Sequence, residues 1–439
     1  MRKGNGIKET LERIGYSIPK LKKYFFIACL TFQALFLGPV SNSVARQLFK
    51  KDSTKAEVKP NKLYLIPLPA LSYNPAFGFI YGVAASSNIL IGDSKDTKLS
   101  SGFLNATYSS KKQLILSLKT TIYSNHNNWI LLGDWRFLDS SQPTYGLGTG
   151  IQSEILVTEM QDGFELGDYK DGVDLAELME FNLIRFHQIA LKRIKNSLYA
   201  GLGYHLDRYS NIQDNLLDLE SDPPRITNHF AYNTLHEFDL EEYTISGPSL
   251  NAILDTRDNV NFPFKGRYAF LQYRFLPGWL GSEKSTHSWW LEYRQYWNVS
   301  QKVERNTIAF WAFANITPFG KLPYMGLPAL GWDQLGRSGR AYPQGRFRGE
   351  NLFYSEVEYR FRIPLLNKNP DFLGGVVFAN TTSASSLDQD LKLFQTVKGG
   401  AGVGLRFMFQ KATRSNVTLD YGIGADGKGA IYFNLNEYF

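Results

Sequence analysis

The last strand-length segments of this chain alternate apolar and polar residues with a period of two. Ile431, Phe433, Leu435 and Phe439 fall on one face and Asn434 and Asn436 on the other, with Glu437 the exception. Upstream, Val417, Leu419, Tyr421 and Ile423 oppose Asn416, Thr418, Asp420 and Gly422. Before them, Val403, Leu405, Phe407 and Phe409 oppose Gly402, Gly404, Arg406 and Met408. Successive side chains of a strand point to opposite faces, so this pattern describes one wall for lipid and one for water.

Three such strands closing on a C-terminal Phe resemble the end of a bacterial outer-membrane β-barrel, with Phe433, Leu435 and Phe439 as its C-terminal signal. From Phe77 onward the pattern predicts sixteen strands: 77–90, 99–109, 112–124, 128–139, 143–156, 179–193, 196–207, 244–256, 267–277, 286–298, 305–316, 351–363, 372–382, 398–409, 415–424 and 429–439. Most meet the ~9–11 residues with which a tilted strand crosses a bilayer. The expected fold is all-β, a sixteen-stranded antiparallel transmembrane β-barrel. Its long connections, 157–178, 208–243 and 317–350, are the fifth, seventh and eleventh, all of one parity. The short turns at Ser110-Lys111, Ser140 to Gln142, Ile194-Lys195 and around Asn367-Lys368-Asn369 fall on the other. A soluble β-sandwich alternates too but does not sort its loops this way. An even count puts both chain ends in the periplasm.

The one long, mostly apolar run is Tyr24 to Leu37, after Lys20, Lys22 and Lys23 and before Ser43-Val44-Ala45. That is the grammar of a secretory leader over 1–45, cut before Arg46; the run is shorter than the ~20 residues of a spanning helix. Phe26-Ile27-Ala28-Cys29 loosely resembles a lipobox, but the apolar run continues past the cysteine. Cys29 is the single cysteine, so the processed protein is thiol-free and suits an oxidising compartment. Residues 1–45 hold seven Lys/Arg and two Glu, +5 of the total +7, leaving +2 for the rest. The basic balance is therefore no sign of nucleic-acid binding. The expected organisation is a leader over 1–45, a short periplasmic segment over 46–76 and a barrel over 77–439.

The most distinctive motif ends the eleventh connection: Gln344-Gly345-Arg346-Phe347-Arg348-Gly349-Glu350, followed by the strand Leu352 to Ile363. On that strand Tyr354, Glu356, Glu358, Arg360 and Arg362 share one face. The segment resembles the BamA/TamA family of outer-membrane assembly factors, the bacterial surface antigen family, whose longest surface loop carries Val/Ile-Arg-Gly-Phe/Tyr and tucks into the barrel. The central Arg348-Gly349 stands and both flanking positions depart. The resemblance implies that the 317–350 loop folds into the lumen, with Arg348 meeting Glu356 or Glu358. A guanidinium fork matches a carboxylate bidentately.

Two further segments bear on the resemblance. Leu254-Asp255-Thr256-Arg257-Asp258-Asn259 and then Phe262-Pro263-Phe264-Lys265-Gly266 look like the family's Asp-x-Arg-Asp-Asn and Pro-x-x-Gly. Pro263 and Gly266 suit a turn, while Asp255, Arg257 and Asp258 can bond freed backbone groups. Phe378-Ala379-Asn380-Thr381-Thr382 stands where the family has Phe-x-Asp-x-Gly, and Asn380 brings no charge. Family assembly factors carry POTRA modules ahead of the barrel. The stretch from Arg46 to Phe77 is too short for one, so a POTRA-less barrel is expected.

Residues 154–180 hold nine Asp/Glu against Lys170, and 214–242 hold eight against Arg225. Such loops are a solvated acidic surface or bind the cations that bridge lipopolysaccharide. The six histidines are dispersed, His205, His229 and His236 lie near one connection, and Gly336-Arg337-Ser338-Gly339 is no nucleophile elbow. The expectation is a non-enzymatic protein without metal or cofactor. By resemblance it assists insertion or translocation of envelope components. Its partners would be outer-membrane lipids, lipopolysaccharide, client outer-membrane proteins and periplasmic or lipoprotein subunits. The alternative is a structural, receptor or pore-forming barrel. In the assembly reading, the first strand, with Gly78 and Gly82 on one face, and the last form a gate with unpaired backbone groups.

Overall fold

The structure, a computed structural model, describes residues 58–74, 78–93, 95–150, 165–166, 177–221, 225–300, 302–303, 305–334, 336–364 and 370–439. The leader and the turn around Asn367 lie outside them. Sixteen antiparallel strands form one sheet in sequence order. They are β1 (Leu63–Asn74), β2 (Gly78–Ile89), β3 (Ser100–Ser109), β4 (Leu114–Tyr123), β5 (Trp129–Thr144), β6 (Glu177–Lys195), β7 (Leu198–Asp214), β8 (Tyr243–Asp255), β9 (Gly266–Leu276), β10 (Thr286–Asn298), β11 (Thr307–Phe319), β12 (Asn351–Arg362), β13 (Leu373–Ala384), β14 (Lys398–Gln410), β15 (Ser415–Gly424) and β16 (Gly429–Leu435). Helix α1 (Asn228–Leu235) sits in the seventh connection, capped by the Thr227 hydroxyl accepting from Phe230 N–H. No helix among the described residues is long and apolar enough to cross a membrane.

The expected count of sixteen is met, but through two differences that cancel. Leu63–Asn74, placed by the sequence reading in the segment before the barrel, is β1, laddered to β2 from Leu63↔Ile89 onward. Its Pro67 and Pro69 disguise it. Proline cannot donate to a ladder and is tolerated at a sheet edge, which is where β1 lies. The segments expected at 128–139 and 143–156 are one long strand to Thr144, because Ser140 to Gln142 keep pairing with β6 rather than turning. The strand starting near Phe77 is thus the second, paired on both sides, and cannot be a gate edge.

Loop lengths still sort by parity. The connections 145–176, 215–242 and 320–350 are the fifth, seventh and eleventh. The turn at Ser110-Lys111 shares their end of the sheet, contrary to expectation, since counting β1 moves it to third place. Asn196 takes φ 48° in the two-residue β6–β7 turn, a conformation that asparagine tolerates. An even strand count brings both ends of the sheet to one side.

Along the strands one face is exposed and apolar while the other is buried and largely polar. On β12, Leu352, Tyr354, Glu356, Glu358 and Arg360 are buried whereas Val357 and Tyr359 are exposed. The core lies on that buried face. One cluster joins Tyr296, Trp311, Phe313 and Tyr354 of the strands to Leu330, Ala341, Tyr342 and Phe347 of the 320–350 connection. The apolar exposed face runs against ordinary hydrophobic burial, and in water it would be costly.

The C-terminal pattern holds only to Phe433. Ile431 and Phe433 are 73% and 60% exposed, whereas Leu435 and Phe439 are 3% exposed each. The strand stops at Leu435, and Asn436 at φ 64° turns the chain. Phe439 then packs 5.2 Å from Trp311 and 6.2 Å from Tyr296, centroid to centroid. Among the described residues no ladder joins β1 to β16.

Candidate functional site

The buried face of β12–β15 carries a charged network whose layout follows from strand register. Glu356, Asn380 and Gly400 stand side by side, then Glu358, Phe378, Gly402 and Gly422, then Arg360, Val376, Gly404 and Asp420. The glycines leave room in front of the charges. A Cβ at Gly400 would lie 2.8 Å from the Ala341 Cβ, and one at Gly422 would lie 3.0 Å from Ala341 N. The 320–350 connection fills that room with Arg340 to Tyr342.

Arg340, 1% exposed, is the hub. Its Nη2 pairs with Glu356 and Glu358, and Nη1 donates to Asp420 Oδ2 at 3.1 Å. The guanidinium lies between the rings of Phe378 and Tyr438, 3.8 and 4.0 Å from their centroids. Asn380 Nδ2 donates to the Arg340 carbonyl at 2.6 Å. Ala341 N–H donates to the Tyr432 hydroxyl at 2.9 Å, which holds Ala341 at φ 100°. Around this hub Arg360 pairs with Glu358 at 2.5 Å, and Arg406 pairs with Asp420 at 2.6 Å and Glu437 at 2.8 Å. Glu437, the residue that broke the terminal alternation, is therefore a buried counter-charge, and Asn416 Nδ2 also donates to it at 2.5 Å. Three arginines face four carboxylates with almost no solvent, an arrangement stable only while every charge keeps its partners.

Arg348 is buried but does not meet Glu356 or Glu358. Its Nη1 donates to the Tyr324 carbonyl at 2.9 Å, and it stacks 5.0 Å from the Tyr324 ring. Among the described residues its Nε and Nη2 have no hydrogen-bond partner. The expected pairing is thus made by Arg340, eight residues earlier, because the Arg348 backbone bridges Ala329 and Gly148 N–H donates to its carbonyl at 2.7 Å. Gly349 is required there, since a Cβ would lie 2.0 Å from Ser385 O. Glu350 accepts from Ser385 Oγ and Leu387 N–H, both at 3.1 Å. The Arg-Gly-Glu motif fastens the connection to the β13–β14 loop, while Arg340 fastens it to the sheet.

The 256–265 turn forms a second constellation. Asp255 accepts from Arg257 Nε and Nη2 at 3.0 Å each, from Tyr123 OH, and pairs with Lys98 at 3.1 Å. Asp258 accepts the Phe264 N–H at 3.0 Å and pairs with Arg414 at 2.6 Å. Pro263 lies between Phe262 and Phe264, which pack with Met408. Asn261 Nδ2 donates to Asn88 Oδ1 at 2.7 Å and to Thr413 O at 3.0 Å, while Asn436 Nδ2 donates to Ser86 Oγ at 3.2 Å. The turn thereby touches β2 near one end of the sheet and the β14–β15 turn near the other, a stitch across the strands that no ladder joins. Gly266 has φ 102°, and a Cβ would sit 2.3 Å from Thr256 O. Gly266→Ala is expected to destabilise the protein by on the order of 1–3 kcal/mol, read as a lower unfolding midpoint in detergent.

The three histidines noted together are apart. His205 on β7 bonds Ser249 Oγ at 2.8 Å, His236 bonds Asp388 at 2.7 Å, and His229 lies on α1 against Tyr324. Among the described residues no cluster of His, Cys, Asp and Glu suits a metal.

One sheet with an apolar outside, a charged inside and long connections at one end defines the class of membrane-embedded β-barrel proteins. The Omp85 superfamily domain matches residues 82–439, so the chain belongs to the Omp85 superfamily of membrane-embedded assembly and translocation barrels. Among solved structures it is similar to BamA from Haemophilus ducreyi lacking POTRA domains 1–3, at 14% identity and TM-score 0.51, over 86% of this chain and 69% of that one. CdiB from Escherichia coli matches at 10% identity and TM-score 0.50, over 85% and 62%. CdiB from Acinetobacter baumannii matches at 11% and 0.47, over 85% and 59%. At these identities the likeness to the first two is one of fold. No curated protein matches the chain.

Proposed function

We propose that the sheet closes in the outer membrane of a Gram-negative bacterium as a barrel. The 320–350 connection plugs its lumen from the outer side, and the protein assists insertion or translocation of envelope components without catalysing a reaction. The observation that carries this reading is Arg340. A loop residue with its charge shared among Glu356, Glu358 and Asp420 of two strands ties the connection to the charged wall.

Aromatic residues support the membrane placement. Trp129 and Trp297 are exposed at the end of the sheet with the shorter connections, and Trp279 and Phe319 at the other, as in the two girdles of a membrane barrel. The seam supports the assembly reading. Among the described residues β1 and β16 have no ladder on their outer sides, so both edges keep backbone groups for a client strand, fewer on β1 because Pro67 and Pro69 have no N–H. Outer-membrane lipids and lipopolysaccharide would contact the apolar face, and client proteins or lipoprotein subunits the seam and the periplasmic turns.

Depleting the protein is expected to lower the folded amounts of some other outer-membrane proteins, measured by quantitative proteomics of the outer membrane. Unchanged client levels would remove the assembly role and leave a structural, receptor or pore-forming barrel.

A further inference from the structure

Between β5–β10 and the 320–350 connection lies a second polar chamber, apart from the Arg340 network, with a volume of about 110 Å³. That exceeds the ~10–15 Å³ one water needs. Asp134, Arg185, His187, His205, Arg274 and Trp332 line it, with Asp207 and Asp333. We propose that this chamber binds a small oxyanion of the phosphate type.

The argument rests on hydrogen-bond inventory. Every carboxylate of the chamber is already supplied with donors. Both oxygens of Asp134 accept from Arg136, at 2.7 and 2.6 Å. Both oxygens of Asp207 accept from Arg185, at 2.6 and 2.9 Å. Asp333 accepts the N–H groups of Gly336, Arg337 and Ser338 at 2.9, 3.0 and 2.8 Å. Each therefore has its charge met by a guanidinium or by main-chain N–H groups, with lone pairs to spare.

Donors are left over as well. Among the described residues, Arg274 donates only from Nε, to Gln272 Oε1 at 2.5 Å, so the far side of its fork has no acceptor. Among the described residues the Trp332 indole N–H is buried without a partner, under Arg136 and Arg185 at 5.9 and 5.6 Å from its ring. His205 uses Nε2 on Ser249 and, among the described residues, keeps a buried, unpartnered Nδ1 that donates or accepts according to its tautomer. His187, its ring 4.6 Å from that of His205, has Nε2 3.2 Å from Asp207 Oδ1 without hydrogen-bond geometry.

The unmet buried indole N–H carries a desolvation cost, and neither it nor the Arg274 guanidinium can turn into an acceptor. A ligand that contributes only acceptors satisfies them together. An oxyanion does so with most of its oxygens and matches the Arg274 fork bidentately, with charge that strengthens each bond. Water could occupy the space, but it contributes donors of its own to a site already rich in them.

Free phosphate and a phosphate on a lipid headgroup share this chemistry. The test uses the purified full chain in detergent micelles, titrated with inorganic phosphate against sodium chloride of matched ionic strength, and in parallel with a phosphomonoester lipid doped into the micelles. A saturable rise of the unfolding temperature with inorganic phosphate is expected for a free anion, and a rise with the lipid alone for a headgroup. Arg274→Gln should weaken the response at least about tenfold. Trp332→Phe, which keeps an aromatic ring and removes the N–H, should weaken it several-fold and decides the matter if the arginine variant fails to fold. No response to either ligand beyond chloride, or an undiminished response in the variants that fold, overturns the proposal.

Discussion

Arg340→Met is expected to lower the stability of the folded protein by on the order of 3–5 kcal/mol, because it leaves Glu356, Glu358 and Asp420 buried with one guanidinium fewer. Methionine keeps much of the stem between Phe378 and Tyr438, so the loss reports charge more than packing. The readouts are the temperature at which the compact form converts to the extended one on a gel, and the denaturant midpoint in detergent. Arg348→Met should cost about 1–2 kcal/mol, since that side chain makes one carbonyl hydrogen bond and one ring contact. Equal losses for the two variants would return the lock to Arg348. Combining Arg340→Met with Glu358→Gln should recover part of the loss, as removing the opposed charges together strands less than removing one.

Deleting residues 320–348 is expected to turn a barrel with little conductance into one with stable single-channel currents in planar bilayers. The deletion removes Arg340 from its carboxylates, Tyr342 from Gly399 O and Arg337 from the main-chain oxygens of Leu435 and Glu437. What remains on that face is polar and charged, and a polar lumen of sufficient width fills with water. The connection also covers aromatic residues such as Trp311 and Tyr354, so the variant should be less heat-resistant as well. A conductance no different from that of the intact chain would show that the connection does not close the pore.

How much of this was legible in the chain depends on the distance over which each feature is set. Alternation on β12, β14 and β15 named the buried and exposed faces correctly, because side-chain direction in a strand is a local property of period two. The three long connections fell at one end as expected, whereas Ser110-Lys111 shares that end and Ser140 to Gln142 continue a strand. β1 was hidden because its prolines are acceptable only at an edge, and no local signal says where the edge is. Of the four arginines at 337, 340, 346 and 348, the one beside Gly349 drew attention through its motif. Arg340 reaches the strand carboxylates because the left-handed turns at Gly339 and Ala341 aim it at the strands.

The amino-acid order by itself determined an antiparallel sheet with a lipid-compatible wall, a charged wall and three long connections at one end. These follow from residue-by-residue periodicity and turn chemistry. Only the tertiary structure decided that Arg340 holds the carboxylates, that Glu437 is the counter-charge of Arg406, that Phe439 faces Trp311, and that the 256–265 turn reaches Asn88. Such pairings join residues far apart in sequence. They are chosen by register across neighbouring strands and by which carboxylates burial leaves in need of a partner.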